Sequence, residues 1–487
     1  MRRRQTAGGL GATLGLALAA CFGTADYRCA DSVECRHDGV QGTCRADGYC
    51  SYPDADCPSG ERYSDQAGSL ASLCVDVEPP VGSTSSTSDD DTTEGGLPVD
   101  DDSTGAPTRT EAVCGNGVRE GGEACDDANA VDGDGCNVDC AVSASPRWSP
   151  WDRVYGGAPE SDAKFLDVDV RPDGTVIAVG SEALATGGAA LFVLWSEDGD
   201  VVWARHYDVD AAADLARSVT AAVGSEIFVV GRTTTVDAET AWLLNVEPAD
   251  GDVEDQAVTG QQFGSAIAYM HVGRLVVAGH GFGTTGVRTF DEQLTLEATA
   301  EVVGGGAAAV AADGVRDVAY YAGTIGGVPT VARADAAADP ALVPLWEGDT
   351  AVGAGLQGLA FRDGVLVAAG YEGLGMRDAW LATIDTVGGG TGWTFTTREP
   401  GEEEIEDVAI DPTGAIVAVG FGTGSGQDAR VYKLGPDGTL LWQWDNPLPN
   451  DDVARAVAVR PDGDIVVAGE RTGPDGATDA WITRLTP

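Results

Sequence analysis

The chain has 487 residues, and its 78 acidic side chains outnumber its 29 lysines and arginines, which gives a net charge of −49. Only two of the basic residues are lysines, Lys164 and Lys433. This balance excludes nucleic acid and anionic membrane surfaces as electrostatic partners. The acidic surplus can attract Ca²⁺ or basic proteins, although a well-hydrated exported surface accounts for it more simply.

Residues 1–20 have the pattern of an export signal. A basic start, Arg2-Arg3-Arg4, precedes an apolar stretch that is too short to span a bilayer. The segment Leu18-Ala19-Ala20-Cys21 then resembles the lipobox of bacterial lipoprotein signal peptides. That resemblance implies that Cys21 is acylated and becomes the mature N-terminus, anchored in the cell envelope. An ordinary export signal followed by a chance cysteine is the alternative, and Phe22 resembles the family pattern for sorting to the outer membrane.

The cysteine count supports lipidation, because eleven is odd and an exported protein rarely leaves a thiol unpaired. The ten remaining cysteines form a six-cysteine module in residues 21–77 and a four-cysteine module in residues 112–142. Modules this short need disulfides in place of a large core, so we expect three and two of them. A zinc site is disfavoured because no C-x-x-C knuckle occurs. The ten cysteines are Cys29, Cys35, Cys44, Cys50, Cys57 and Cys74, then Cys114, Cys125, Cys136 and Cys140.

The four-cysteine module has a distinctive glycine and acid pattern. It contains Cys114-Gly115-Asn116-Gly117, then Glu120–Asp127, and then Gly133–Cys136 before Cys140. This pattern resembles the cysteine-rich repeat of myxobacterial surface proteins, and Cys50–Pro58 resembles the cysteine-rich heads of lipoproteins from the same group. The resemblance implies export and surface display, and it implies no catalytic residue.

The same module carries the densest set of oxygen ligands in the chain. A calcium-binding EF-hand loop needs acids at alternating positions and a final glutamate, but here Val131 interrupts the pattern and no such glutamate follows. Asx-turns that shape a disulfide loop explain these residues as well. No metal site or other cofactor is therefore predicted, and calcium stays an open alternative at Asp126, Asp127, Asn129, Asp132 and Asp134.

Residues 78–111 separate the two cysteine modules. They are rich in Ser, Thr, Pro, Gly and Asp, and they include the runs Asp89–Asp91 and Asp100–Asp102. A segment of this composition cannot bury enough apolar surface to fold. We expect a disordered acidic linker that holds the following domain away from the membrane.

Residues 146–487 repeat a short apolar strand that ends in glycine. The seven closing glycines lie 44 to 51 residues apart. A period of this size, built from strands and turns, is typical of a β-propeller with one blade per repeat. The sequence therefore predicts an all-β, seven-bladed propeller. The seven strands are Val176–Gly180, Ile227–Gly231, Leu275–Gly279, Val318–Gly323, Val365–Gly370, Ile416–Gly420 and Ile465–Gly469.

The last repeat shows how a blade is built. Ala456–Val459 predicts a short inner strand, Pro461-Asp462-Gly463 a turn, and Ile465–Ala468 a second strand that is buried on both faces. Asp479-Ala480-Trp481 opens a third strand. In other repeats a fourth strand follows an Asp-Gly turn, as at Asp437–Trp442, so each blade is predicted to be a four-stranded antiparallel meander.

Two features concern the ends and the regularity of the ring. The seventh repeat reaches Pro487 after only three strands, and the segment Trp148–Tyr155 is predicted to supply its fourth. Closing the ring in this way removes exposed sheet edges. Repeats three and four, Gly264–Asp335, match the pattern least well and are expected to form irregular blades.

The tryptophans of the repeats allow two interpretations. They could stack on sugars, but their regular positions favour packing between blades. The segments Asp198–Trp203 and Asp437–Trp442 resemble the docking motif that locks neighbouring blades in quinoprotein-like propellers, many of which bind no quinone. The residues in question are Trp203, Trp242, Trp380, Trp442 and Trp481.

No catalytic residue is predicted. The four histidines, His37, His206, His271 and His280, are scattered, and no nucleophile elbow, metalloprotease helix or phosphate-binding glycine loop occurs. The leading hypothesis is a non-catalytic module that binds a protein or a glycan. The rivals are an exported propeller lyase, glycosidase or quinoprotein-like enzyme, and an envelope assembly scaffold. Titratable groups with shifted pKa values in the funnel would favour an enzyme, small apolar residues there a binding module, and an exposed apolar patch a scaffold.

Overall fold

The fold is known from a computed structural model. It describes residues 35–37, 40–44, 50–53, 61–63, 119, 125, 136–137, 142–143, 153–155 and 162–487, the last range except 185–186, 209–212, 223–225, 236–237, 261–263, 271–272, 282, 336–340, 350–352, 424–425, 447–449 and 474–475. Cys21, the 78–111 linker and the candidate calcium ligands therefore lie outside the described residues.

The front part of the chain contains short strands and disulfides. Arg36–His37 pairs with Val40–Gln41, and Thr43–Cys44, Cys50–Pro53 and Glu61–Tyr63 form a three-stranded sheet. One disulfide joins Cys35 to Cys50, and another joins Cys125 to Cys136. Only the backbone of Cys44 is described, and the remaining predicted disulfide cysteines, Cys29, Cys57, Cys74, Cys114 and Cys140, lie outside the described residues.

Seven four-stranded antiparallel sheets follow, which confirms the predicted seven-bladed propeller. We number the blades in chain order and letter the strands a to d outward from the central channel. Strands a to d of blade 1 are Ala163–Val170, Val176–Leu184, Gly187–Trp195 and Val201–Tyr207. Those of blade 2 are Ala213–Ala221, Ile227–Thr234, Glu239–Val246 and Val253–Gly260. Those of blade 3 are Ala266–Met270, Arg274–Gly281, Thr284–Asp291 and Leu296–Val303. Strands a to d of blade 4 are Gly305–Asp313, Val318–Ile325, Val328–Asp335 and Val343–Glu347. Those of blade 5 are Gly355–Arg362, Val365–Glu372, Asp378–Ile384 and Thr391–Thr396. Those of blade 6 are Glu403–Ile410, Ile416–Thr423, Gln427–Leu434 and Leu440–Asp445.

The seventh blade closes the ring with a strand from the front of the repeat region. Its strands a to c are Asp452–Val459, Ile465–Thr472 and Thr478–Leu485, and its strand d is Arg153–Tyr155. In this pair Ala480 lies opposite Tyr155 and Ile482 lies opposite Arg153. The predicted closure is confirmed, and it leaves the third strand of this blade without an open edge.

Two details of the prediction were wrong. Blades 3 and 4 are complete four-stranded sheets like the others, although strand a of blade 3, Ala266–Met270, and strand d of blade 4, Val343–Glu347, have only five residues each. Strand a of blade 7 begins at Asp452 rather than at Ala456. A bulge between Ala454 and Ala456 interrupts the alternation of side chains, and this hides the first half of the strand from a pattern search.

That bulge recurs in six of the seven strands a and explains the closing glycines. In blade 6, Ile405 pairs with Gly420 and Asp407 pairs with Val419, so Glu406 is an extra residue. The bulge pushes the preceding carbonyl against strand b: a Cβ at Gly420 would lie 1.8 Å from the oxygen of Glu404. Only glycine tolerates so close an approach. The glycines opposite a bulge are Gly180, Gly231, Gly323, Gly370, Gly420 and Gly469.

The core lies between the blades. Consecutive residues of a strand b face opposite neighbours: Val176 and Ala178 pack with blade 7, whereas Ile177 and Val179 pack with blade 2. All four are fully buried. This two-sided burial explains the continuous apolar runs in the sequence.

Tryptophans join the blades at their outer strands. The Nε1 of Trp203 donates a 2.8 Å hydrogen bond to the carbonyl of Pro248 in the next blade, and Trp393 makes the same 2.9 Å bond to Pro436. Trp203, Trp242, Trp380 and Trp481 are at most 7% exposed, and Trp442 is half-buried against the core. These contacts support packing rather than sugar stacking.

Candidate functional site

The central channel forms a cavity on the propeller axis. It has a volume of about 410 Å³ and is lined by strand a of every blade. Because the bulge residues have no partner in the ladder, they project as one level of side chains into the channel. This level, which we call the bulge ring, runs from blade 1 to blade 7 as Leu166, Arg217, Ser265, Ala308, Gln357, Glu406 and Arg455, where Ser265 directly precedes the short strand of blade 3.

The aspartates that follow the bulges connect neighbouring blades. Asp167 accepts a 2.8 Å hydrogen bond from the backbone N–H of Val219 in blade 2, and its other oxygen accepts a 2.8 Å bond from Val168. Asp407 accepts bonds of 3.0 Å from Val457 in blade 7 and 2.8 Å from Val408. Each carboxylate therefore uses one oxygen for its own strand and one for the next blade.

Asp169 makes the same kind of connection one step further along its strand. Its oxygens accept hydrogen bonds from the backbone of Val170, at 2.7 Å, and of Ala221 in blade 2, at 2.8 Å. The two aspartates of blade 1 therefore bind two alternate N–H groups of the neighbouring strand a, those of Val219 and Ala221. Buried backbone donors of this kind need an acceptor, so these aspartates have a structural role.

The pKa values of these aspartates are raised. Burial raises the pKa of Asp407 to about 8, and the negative charge of Asp167 contributes. Burial also raises the pKa of Asp167 to about 7 and that of Asp169 to about 6, partly offset by their hydrogen bonds. Shifts of this kind are what the enzyme hypothesis predicts for a funnel. The hydrogen bonds, however, commit both oxygens of each group to backbone donors.

The acidic side of the channel is internally paired. Arg455 Nη1 donates a 2.5 Å hydrogen bond to Glu406, and the same guanidinium pairs with Glu470. Gln357 donates a 2.7 Å hydrogen bond to Glu404, which also pairs with Arg377. Burial raises the pKa of Glu406 above its ordinary value, and the positive charge of Arg455 offsets only part of that rise.

The opposite side of the channel is apolar. Blades 3 to 5 contribute small or apolar side chains, so the channel has one charged half and one alanine-rich half. It therefore contains both the titratable groups that would favour an enzyme and the small apolar residues that would favour a binding module. The apolar residues are Ala266, Ile267, Ala268, Ala308, Ala309, Val310, Ala311, Ala312, Leu359, Ala360 and Phe361.

Arg217, in blade 2, lies between the charged half and the apolar half of the channel. Arg217 is exposed to the channel and makes no hydrogen bond or ion pair with the described residues. Enclosure in the protein lowers the pKa of Arg217, the positive charge of Arg232 lowers it further, and the negative charge of Glu239 offsets part of this shift. The pKa of His280 is also lowered, first by burial and then by Arg232 and Arg217.

A second cavity of about 590 Å³ lies across blades 7, 1 and 2 at the starts of their strands a. Its walls include Lys164, Glu182 and Glu239. The charges are largely paired, since Glu182 lies 2.7 Å from His206 and Glu239 lies 3.4 Å from Arg232. This groove therefore offers a charged surface with few unpaired groups.

The histidines do not form a common site. His206 lies in strand d of blade 1 and His280 in strand b of blade 3, while only the backbone of His37 is described and His271 lies outside the described residues. Within the described part of the chain, no three metal-ligating side chains converge. Nor do the described residues include a helix long and apolar enough to cross a membrane.

The sequence analysis did not identify the bulge ring that lines the channel. None of the bulge-ring residues was singled out, because a bulge is a property of strand pairing. One signal did point to it: in six of the seven repeats the closing glycine pairs with the residue just before the bulge. The residue 13 to 15 positions before that glycine could thus have been identified as facing the axis.

Comparisons with known proteins bear on the fold. No protein-family profile matches the chain, and no curated protein resembles it in sequence. Among solved structures, the WD40 repeats of RRP9 superpose with a TM-score of 0.51 at 14% identity, covering 71% of this chain and 100% of that one. The structure of U3-55K gives 0.50 at 13% identity, covering 70% and 100%. At this identity the likeness shows the propeller fold alone.

Proposed function

We propose that the chain is an exported protein, anchored in the cell envelope through acylated Cys21, whose propeller binds another protein without catalysing a reaction. One observation carries the non-catalytic part. Asp167, Asp169 and Asp407, the channel carboxylates with the most strongly raised pKa values, all have both oxygens hydrogen-bonded to backbone N–H groups. A general acid or base must instead reach the proton that it transfers.

Two observations support a protein rather than a glycan as the partner. No tryptophan lines either cavity in the described structure, and the aromatic side chains of the described lining are only Tyr269 and Phe361 of the channel, so neither cavity offers an indole for sugar stacking. One of the solved propellers of similar fold consists of WD40 repeats, a class of repeat that commonly serves as an interaction module.

The partner is proposed to bind the face that carries the starts of the strands a and the loops between strands b and c, which we call the entry face. On this face, Leu374 and Met376 in a loop of blade 5 are 77% and 66% exposed. Exposed apolar side chains beside polar neighbours are typical of interaction sites. Val387, 78% exposed, lies at the other end of the same strand c, Asp378–Ile384, and therefore on the opposite face.

The test is capture of partners from an envelope extract with the tagged full chain. We expect the double variant Leu374→Asp, Met376→Asp to lose a saturable partner that Val387→Asp retains. The two variants add the same kind of charge at similar exposure, so a general loss of solubility would affect both. Equal capture by both variants would contradict binding at this part of the entry face.

Anchoring is tested separately. Labelled palmitate is expected to enter the wild-type chain and not the Cys21→Ser variant, because the thiol is the acyl acceptor in this class of lipoprotein. Incorporation into Cys21→Ser would contradict the anchoring proposal without affecting the binding proposal.

A further inference from the structure

The repeats allow two arginines in equivalent positions to be compared. Arg455 and Arg217 are the bulge residues of blades 7 and 2. Arg455 contacts two carboxylates: Glu406, the bulge residue of the preceding blade, and Glu470, which follows the closing glycine of its own blade. These contacts show which positions can reach a guanidinium in the bulge ring.

At Arg217 both of those positions lack a carboxylate. The bulge residue of the preceding blade is Leu166, and the residue after the closing glycine is Arg232. Arg232 adds positive charge, and its own carboxylate partner is Glu239 at 3.4 Å. Arg217 thus makes no ion pair with the described residues, and the one carboxylate whose charge acts on it, Glu239, is already paired with Arg232.

The side chains around Arg217 indicate that a ligand bound there would also need an apolar portion. The next two positions of the bulge ring are Ser265 and Ala308, and the adjoining wall is formed by alanines of blades 3 and 4. A ligand here would place its anionic end against Arg217 and an apolar portion against that wall. The cavity of about 410 Å³ has room for a group of that size.

We propose that Arg217 anchors a binding site for a carboxylate that carries a short apolar tail, in the channel at the level of the bulge ring. The ligand's carboxylate would contact Arg217 as Glu406 contacts Arg455. A planar guanidinium suits this contact because it can donate two parallel hydrogen bonds to one carboxylate. The C-terminus of a partner polypeptide and a free short-chain acid share this chemistry.

The overall negative charge does not prevent such binding. At physiological ionic strength the screening length is about 8 Å, so charges within the channel outweigh those on the distant surface. The charged groups that act on Arg217 are Arg232, which is basic, and Glu239, which pairs with Arg232 at 3.4 Å.

The site is tested by calorimetric titration of the purified full chain with three probes. N-acetyl-alanyl-alanine presents a C-terminal carboxylate, its amide lacks the charge, and butyrate is a free acid. We expect saturable binding of at least one carboxylate and none of the amide. Tighter binding of the dipeptide would identify a polypeptide C-terminus as the ligand, and tighter binding of butyrate a free acid.

Two variants test the role of Arg217 from opposite directions. Arg217→Gln removes the guanidinium, and Leu166→Glu supplies an internal carboxylate at the position that Glu406 has next to Arg455. Each is expected to weaken carboxylate binding by about 10- to 100-fold, the worth of a hydrogen-bonded charge pair. Arg217→Lys should retain part of the affinity because it keeps the charge but not the paired donors.

Arg398→Gln is the matched control, since Arg398 is exposed and lines neither cavity. It should bind like the wild type, and thermal unfolding of every variant checks that the propeller is intact. The proposal is overturned if no carboxylate binds, if the amide binds as well, or if folded Leu166→Glu and Arg217→Gln bind like the wild type.

This inference extends the proposed function, because it names a chemical group that a partner would insert. The experiments can contradict the carboxylate site and the protein-binding function independently of each other. If a partner is captured by the wild type and lost by the Leu374→Asp, Met376→Asp variant, while no carboxylate binds, only the carboxylate site is wrong. If carboxylate binds through Arg217 and no partner is captured, only the protein-binding function is wrong.

Discussion

Replacing Gly420 with alanine tests the link between the closing glycine and the bulge. The new Cβ would lie 1.8 Å from the carbonyl oxygen of Glu404 and 3.0 Å from the Cα of Ile405. Even weak carbon–oxygen contacts require about 3.3 Å, so the backbone of strand a must move by about 1.5 Å. Since the atoms in contact are backbone, no rotamer change can relieve the clash.

The free energy of unfolding should fall by about 4 kcal/mol. Overpacking in a filled core costs about 3 kcal/mol, and two disrupted backbone hydrogen bonds add about 1 kcal/mol each. The reduced entropy of the unfolded chain returns up to about 1 kcal/mol. For a domain of this size the midpoint of thermal unfolding should drop by about 6 °C.

Gly375→Ala provides the control, because no atom lies within 4 Å of the added Cβ and its φ is not positive. Its effect should stay within about 0.5 kcal/mol. Differential scanning calorimetry of both variants and the wild type measures the difference. If Gly420→Ala unfolds at the same temperature as Gly375→Ala, the bulge does not impose the glycine and the explanation is refuted.

Two further predictions concern pH and hydrogen bonding. The folded-state pKa values of about 8 for Asp407 and about 7 for Asp167 exceed the ordinary 3.8, so their stabilising contribution is complete below about pH 4 and is lost as pH rises through 7 and 8. Urea unfolding should therefore show higher stability at pH 6 than at pH 9, with a smaller difference in Asp407→Asn; a difference as large as that of the wild type would contradict the assignment. Trp203→Phe should lower the unfolding free energy by about 1 kcal/mol more than Trp442→Phe, because only Trp203 loses an Nε1 hydrogen bond, to Pro248, and equal losses would argue against the bond.

The architecture could be predicted from the sequence because it depends on patterns that repeat. The glycine period gave the number of blades, and the unpaired end of the last repeat indicated closure by the strand that contains Tyr155. The regularity of blades 3 and 4 could not be seen, since their alanine-rich strands keep the pairing without the large apolar residues that mark a strand.

The site could not be predicted in the same way. Asp167 and Asp407 resemble ordinary polar residues of a strand, and only the packing of neighbouring blades shows that they accept backbone hydrogen bonds. Arg217 is one of many arginines until the bulge places it on the axis. Such relations join residues about 50 positions apart, and no local pattern records them.

The seven blades nevertheless act as internal controls that separate structural from functional positions. The glycine opposite each bulge is the same in all six bulged blades, as expected of a position fixed by backbone contact. The bulge residue it faces differs from blade to blade, from leucine and alanine to glutamate and arginine. Because the fold requires the bulge but not the identity of its side chain, this ring can vary without cost to the architecture. Its one unpaired charge, Arg217, is therefore better explained by a ligand than by the fold.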